Sequence, residues 1–316
     1  MQKSVTNAII HTSASLVPRM ERYLGEKYGE QSNTVDTFVF LETIDKQSFL
    51  EALLHDELKV WRYINRLYFY DFRSQEYQQL LNLNFNKKTI RIQAYPPELE
   101  ERLLKELEPS IELNPKTFTH FLSVALLKNT YHYGLYPKKL FFRRPKPSPS
   151  VASSYYKINE AVHRFNVPLP PTSRVLDLGA APGGWTEYMS KKVEKVIAVD
   201  PANLDFDRKN VIHLSNKVEE CLTEIRRYAP YDMIMCDINQ DPREVARVIA
   251  QVAPLLSPQG FLIMTIKLVL KGKETRSMLI TRTKELLANH FEHLQVTWLL
   301  ANTKWEKTLF GIKKER

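Results

Sequence analysis

From residue 174 onward the apolar positions of this chain fall in short, nearly continuous runs. Val175-Leu176-Asp177-Leu178, Val196-Ile197-Ala198-Val199, Met233-Ile234-Met235-Cys236 and Phe261-Leu262-Ile263-Met264-Thr265-Ile266 are the clearest. Runs of this length between turn residues read as strands buried on both faces. The pattern predicts strands at 174–178, 195–199, 232–237, 261–267, 293–300 and 308–313. Helical spacing lies between the earlier ones, for example from Glu244 to Leu256. Strand–helix alternation implies a parallel sheet and an α/β fold. Only Ala301 to Lys307 join the last two strands, which implies an antiparallel hairpin at one edge.

Upstream the pattern is mixed. Thr37-Phe38-Val39-Phe40-Leu41 and Thr89-Ile90-Arg91-Ile92-Gln93 read as strands by their β-branched and aromatic content. Pro96-Pro97-Glu98 opens a helix with Leu99, Leu103, Leu104 and Leu107 on one face. Phe121 to Leu127 followed by Tyr131 to Leu135 reads as a closing hairpin. This is a smaller α+β segment. Between the halves, Phe141-Phe142-Arg143-Arg144-Pro145-Lys146-Pro147-Ser148-Pro149-Ser150 carries three prolines among several cations, a composition that resists helix. The expected organisation is a domain at 1–140, a basic linker at 141–152 and a second domain at 153–316.

Composition narrows the function classes. The 316 residues leave room for two domains. A formal net charge of +9 suits a polyanionic partner. Two cysteines, Cys221 and Cys236, imply no disulfide framework, and no Cys/His cluster implies a metal. With no apolar run of membrane-spanning length and no apolar core near Met1, the expectation is a soluble, cytoplasmic protein without a membrane partner.

The candidate chemistry sits where the apolar runs end. Asp177-Leu178-Gly179-Ala180-Ala181-Pro182-Gly183-Gly184-Trp185-Thr186 leads from a strand through a glycine-rich turn into a helix. Lys195 to Val199 ends in Asp200, an acid placed to accept hydrogen bonds from ribose hydroxyls. The loop lacks the Gly-x-Gly-x-x-Gly spacing that seats a pyrophosphate, and S-adenosylmethionine carries no phosphate. Cofactor contacts are therefore expected from Asp177, Gly179, Ala181, Pro182, Gly183, Gly184, Trp185, Asp200 and Asp237. Asp237 and Lys267 each end an apolar strand, over the crevice of an open sheet. Burial lowers a lysine pKa and a nearby acid raises it, so the sequence leaves the net shift of Lys267 open. Lys157 lies on the helix entering the domain and Glu306 in the link before the last strand. Cys236 inside its apolar run reads as buried and inert.

These residues carry a resemblance. Segment 151–316 resembles the RrmJ/FtsJ-type ribose 2′-O-methyltransferases, marked by an Asp-Leu-Gly-x-x-Pro-Gly-Gly-Trp loop and a Lys–Asp–Lys–Glu tetrad. Lys157, Asp237, Lys267 and Glu306 match the tetrad in order. The resemblance implies a Rossmann-like domain that transfers methyl from S-adenosylmethionine to an RNA ribose 2′-OH. Lys267 would take the proton if its pKa is depressed, with Asp237 orienting it, Lys157 stabilising oxyanion charge and Glu306 holding the lysines or the ribose. The family often has an adenine-reading acid in the turn after the third strand. Here Val211-Ile212-His213-Leu214-Ser215-Asn216-Lys217 offers Asn216 or Ser215, and an asparagine can still hydrogen-bond adenine.

The segment before the linker looks like the end of a THUMP domain, an RNA-binding module. Its pairing with such a catalytic domain is similar to bacterial 23S ribosomal RNA cytidine 2′-O-ribose methyltransferases. The implied partner is RNA, ribosomal rather than transfer. The alternatives are a tRNA 2′-O-methyltransferase and a catalytically silent RNA-binding or assembly protein. Lys138, Lys139, Arg143, Arg144 and Lys146, interleaved with Tyr136, Phe141 and Phe142, are the expected linker contacts to RNA.

Overall fold

The computed structural model describes residues 7–28, 33–42, 45–145, 153–270 and 272–315. The chain divides into two compact units, Met1–Pro147 and Ser148–Arg316.

The first unit runs β1 (Asn7–His11), α1 (Val17–Tyr28), β2 (Asn33–Val35), β3 (Phe38–Leu41), α2 (Lys46–Leu54), β4 (Arg66–Tyr70), β5 (Phe72–Ser74) and α3 (Gln78–Leu81). It continues through β6 (Thr89–Tyr95), α4 (Pro97–Leu107), β7 (Glu112–Leu113), β8 (His120–Leu127) and β9 (Thr130–Pro137). Strands pair in the orders β2-β3-β1-β4 and β5-β9-β8-β6-β7. β6 and β8 are parallel, which requires a crossover, and α4 supplies it. Leu99, Leu103 and Leu107 of α4 pack with Ile90, Ile92, Leu122 and Val124. Leu104, expected on that face, is exposed: one residue past Leu103, it is turned about 100° away from the buried stripe.

The stretch expected to be a free linker is partly structured. Phe142 is buried, and Arg144 Nε donates to the Ile64 carbonyl at 3.0 Å. Phe141 packs edge-on against Phe118 and Phe121. Tyr136 is buried in β9. Residues 141–145 thus belong to the first unit, and Tyr136, Phe141 and Phe142 serve its core instead of standing ready to stack on bases. Residues 146–152, Lys146 among them, lie outside the described residues.

The second unit runs α5 (Ser153–Arg164), β10 (Arg174–Leu178), α6 (Gly184–Ser190), β11 (Lys195–Val199), β12 (Val211–Leu214), α7 (Leu222–Arg227) and β13 (Tyr231–Cys236). Then follow α8 (Pro242–Val252), β14 (Leu256–Lys267), α9 (Arg276–Leu287), β15 (Phe291–Thr297) and β16 (Glu306–Lys313). Among the described residues seven strands form one sheet in the order β12-β11-β10-β13-β14-β16-β15. The first five are parallel, and β16 runs antiparallel between β14 and β15. This is a Rossmann-like methyltransferase fold. Its strand order reverses between β10 and β13, which opens a crevice at their carboxyl ends.

Several boundaries differ from the sequence pattern. α8 begins at Pro242, because Asp241 caps it by accepting from Arg243 N, and it stops at Val252 ahead of Pro254. The strand expected at 293–300 ends at Thr297. There the amides of Leu299 and Leu300 turn to the side chains of Asn302 and Glu160 instead of a neighbouring strand. Glu306, expected in the link, is the first residue of β16.

Candidate active site

The glycine-rich turn is shaped by contacts that sequence spacing does not reveal. Gly179 closes β10 with φ +75°, and a Cβ there would lie 2.5 Å from Ile238 Cγ1. That position demands glycine on both counts. Gly183 caps α6 at φ +119°, where a Cβ would lie 2.5 Å from the Phe206 ring. Asp200, just past β11, accepts from Ala181 N at 3.1 Å with one carboxylate oxygen and from Ala202 N at 2.8 Å with the other. These bonds hold the turn beside the acid and leave lone pairs free for a ligand.

A cavity of about 410 Å³ lies at this switch point. Of the residues expected to hold a cofactor, Gly179, Ala181, Asp200, Asn216 and Asp237 line it. Asp177, Pro182, Gly183, Gly184 and Trp185 do not. Gly183 and Gly184 form the N-terminus of α6, and Trp185 is a core side chain packed with Val175 and Met233. Asp177 is buried beneath the turn, where its Oδ2 accepts from Thr186 Oγ1 at 2.5 Å and its Oδ1 has no partner. Burial pushes its carboxyl up to about 7 despite the threonine bond. The sequence pattern missed Glu219, Asn239 and Gln240, which also line the cavity. Asn239 and Gln240 follow Asp237 closely, whereas nothing in the sequence marks Glu219.

The charged lining is three carboxylates, Asp200, Glu219 and Asp237, against one cation, Lys217. Such a wall repels a pyrophosphate and suits a cationic nucleoside whose hydroxyls need acceptors. The residues present therefore fit S-adenosylmethionine. Asp200 and Asn216 both line the cavity, while the orphaned Asp177 Oδ1 lies under the turn.

The four tetrad side chains meet beside this cavity. Lys157 Nζ is 2.9 Å from Asp237 Oδ2 and 3.3 Å from Glu306 Oε2. Lys267 Nζ is 3.0 Å from Asp237 Oδ1 and 2.7 Å from Glu306 Oε1. The charges alternate around a closed ring, and Asp237 belongs to both ring and cavity. Lys157 is only 6% exposed, so it is not the solvated helix lysine that a lone lysine usually is. Lys267 and Glu306 face each other across the β14–β16 ladder. Glu160, which closes the Lys-x-x-Glu run that starts at Lys157, is also buried. Its carboxylate accepts from Leu300 N at 2.9 Å and Ala301 N at 3.1 Å, tying α5 to the turn that leads to Glu306.

The ring sets its own protonation. Burial alone would pull the Lys267 ammonium down, but Asp237 first, and then the hydrogen bond to Glu306, hold it above the usual lysine value. Burial alone would raise Glu306, yet Lys157 and then Lys267 keep it below the usual carboxylate range. The depressed Lys267 pKa that a base role needs is thus absent from the ring as it stands. Cys236 is fully buried, and its thiol is pushed up to about 12 by that burial. It is a packing residue. Among the described residues no group of three or more His, Cys, Asp or Glu could hold a metal ion, and no helix is long and apolar enough to cross a membrane.

The sheet order and the crevice are those of a Rossmann-like methyltransferase fold. Residues 150–299 match the FtsJ-like methyltransferase family model. Over 119 residues the chain is 34% identical to ribosomal RNA large subunit methyltransferase E of Treponema denticola, covering 35% of this chain and 57% of that one. Over 116 residues it is 35% identical to ribosomal RNA large subunit methyltransferase M of Methylococcus capsulatus, covering 34% and 31%. A protein of Methanocaldococcus jannaschii is 29% identical over 155 residues, covering 48% and 44%. The matches thus span about a third to just over half of these relatives' lengths. In fold the chain is similar to TrmN from Thermus thermophilus, with TM-score 0.53 and 16% identity over 98% of this chain and 100% of that one.

Proposed function

We propose that this protein is an S-adenosylmethionine-dependent RNA ribose 2′-O-methyltransferase acting on ribosomal RNA. The observation that carries the reading is the closed Lys157–Asp237–Lys267–Glu306 ring opening, through Asp237, onto a carboxylate-lined cavity. Similarity to proteins named as ribosomal RNA large subunit methyltransferases supports the substrate class.

When bound, S-adenosylmethionine supplies a methyl group on a sulfonium cation. Asp200, Asn216 and Glu219 would hold its nucleoside. Lys157 stabilises negative charge developing on the ribose oxygen. Lys267 begins protonated, clamped by two carboxylates. A cationic ligand in the cavity that shares Asp237 would lower the proton affinity of Lys267, which could then accept the proton of the ribose hydroxyl. Asp237 and Glu306 keep both ammonium groups aimed at one point.

We also read the first unit as an RNA-binding, THUMP-like domain. A hollow there is lined by Arg66, Arg91, Arg143 and Arg144 against one carboxylate, Glu100. Four guanidiniums facing one acid suit phosphate.

The test is transfer of labelled methyl to ribosomal and transfer RNA fractions, followed by digestion and nucleoside mass spectrometry. The expected product is a 2′-O-methylnucleoside from the ribosomal fraction, with Lys267→Ala reducing the rate about 10²- to 10⁴-fold. Label on a base, or on neither fraction with cofactor bound, overturns the reading.

A further inference from the structure

Trp305 immediately precedes Glu306, and its side chain stands in solvent. It is 53% exposed, the most exposed of the large apolar side chains among the described residues. Tryptophan carries the largest apolar surface of any side chain, and leaving it in water forgoes a large burial gain. A core function does not explain it. Neither does looseness of its backbone: Leu268 N donates to the Trp305 carbonyl at 2.8 Å, and Trp305 N donates to Thr303 Oγ1 at 3.3 Å. The indole is therefore mounted on the residue after Lys267 and the residue before Glu306, at the edge of the charged ring.

Two cations flank it. The Arg276 guanidinium lies 5.4 Å from the indole centroid and the Lys304 ammonium 5.3 Å. Both side chains are exposed, and neither forms an ion pair among the described residues. The four ring residues cancel, and Glu274 is taken by Arg243 and Arg282. Arg276 and Lys304 are thus uncompensated positive charge around an exposed π-face.

We propose that Trp305 is a stacking platform for an unpaired RNA base, with Arg276 and Lys304 holding the phosphates on either side of it. The proposal rests on the RNA-methylation reading and adds to it the form of the substrate: single-stranded at this position. A base offers a flat π-surface that every nucleotide has, and phosphates offer the anions that the two cations lack. A paired base hides that surface inside its helix, whereas a looped or frayed strand presents it. Stacking next to Glu306 would hold the neighbouring ribose near Lys267, so Trp305 acts as a substrate-binding residue and leaves the chemistry to the ring.

The experiment uses the full chain and a fluorescein-labelled RNA of about a dozen nucleotides without self-complementarity. The strand is titrated alone and annealed to its complement, and read by anisotropy. Trp305→Ala should lose roughly tenfold or more in affinity for the single strand, and far less for the duplex. Trp305→Phe, which keeps a ring, should recover most of the loss. Affinity for S-adenosylmethionine, measured by calorimetry, should be unchanged in both variants. In turnover, Trp305→Ala should raise KM for RNA more than it lowers kcat.

Undiminished single-strand binding by Trp305→Ala overturns the proposal and points to a protein partner for the exposed indole. Equal losses for strand, duplex and cofactor also overturn it, because they mark a structural role. If the wild type methylates RNA while Trp305→Ala matches it in KM, only the platform fails. If the wild type neither binds nor methylates RNA, the methylation reading fails with it.

Discussion

At the scale of single residues, this site is governed by buried charge. Removing one member of the ring strands its partners in a half-buried setting, which is worse than removing a matched pair. Glu306→Gln tests the proton route. Glu306 is one of two carboxylates holding Lys267 above its usual value, so losing its charge lowers the Lys267 pKa. The limb of the kcat–pH profile on which activity rises with pH should move to lower pH, and the maximal rate should fall because the lysine is less well held. A limb left in place would show that Lys267 is not the group titrated. Asp177 gives the opposite kind of test. Its folded pKa of about 7 lies above that of a free aspartate, so the folded state holds its proton more tightly than the unfolded chain does. Stability is therefore undiminished below about pH 4 and falls as pH rises from about 4 to about 7, by up to about 4 kcal/mol. Asp177→Asn removes that penalty while keeping a hydrogen-bonding partner for Thr186. Thermal denaturation should show the variant gaining on the wild type as pH rises across this window. A constant difference between pH 5 and pH 8 would contradict the assignment.

At the scale of elements, one buried carboxylate aligns two distant parts of the ring. Glu160 sits three residues after Lys157 on α5, on the same helical face, and accepts the backbone amides of Leu300 and Ala301. Those amides begin the turn that delivers Glu306 opposite Lys267. Glu160→Ala leaves two amides unsatisfied and should lower stability by about 1–3 kcal/mol. It should also reduce kcat by tenfold or more while sparing cofactor affinity, because Glu160 does not line the cavity. Unfolding curves and calorimetry with S-adenosylmethionine check both halves, and parallel loss of rate and cofactor affinity would refute the alignment role. Lys-x-x-Glu was readable on this helix, but what its glutamate holds was not. The ends of the elements were also poorly legible. Sequence period locates a strand's buried run, and side-chain competition for backbone amides, as at Leu299 and Leu300, decides where it stops.

At the scale of the whole molecule, two units divide the work under the proposed function. A fragment of residues 148–316 should unfold cooperatively, since this unit has its own sheet and core. It should bind S-adenosylmethionine as the full chain does and bind RNA more weakly. Equal RNA affinity in fragment and full chain would remove the first unit from substrate reading. The basic stretch before the linker shows how a composition signal can mislead. Its cations were legible, but Phe141 and Phe142 were spent on packing the first unit. The arginine hollow draws Arg66 and Arg91 from strands far away in sequence to Arg143 and Arg144.

The sequence by itself determined the strands from residue 174 onward, their crevice, and Asp237 and Lys267 at its edge, while Lys157 and Glu306 were assigned through the family resemblance. Apolar runs report strands, and charges that end them report the crevice, because both signals are local. It did not determine the register that sets Lys267 against Glu306, the withdrawal of Trp185 and Asp177 from the cavity, or the net rise of the Lys267 pKa. Those depend on which side chains approach across strands and how far water is excluded. Distances of 3 Å between residues 80 apart in sequence, such as Lys157 and Asp237, exist only once the chain has folded.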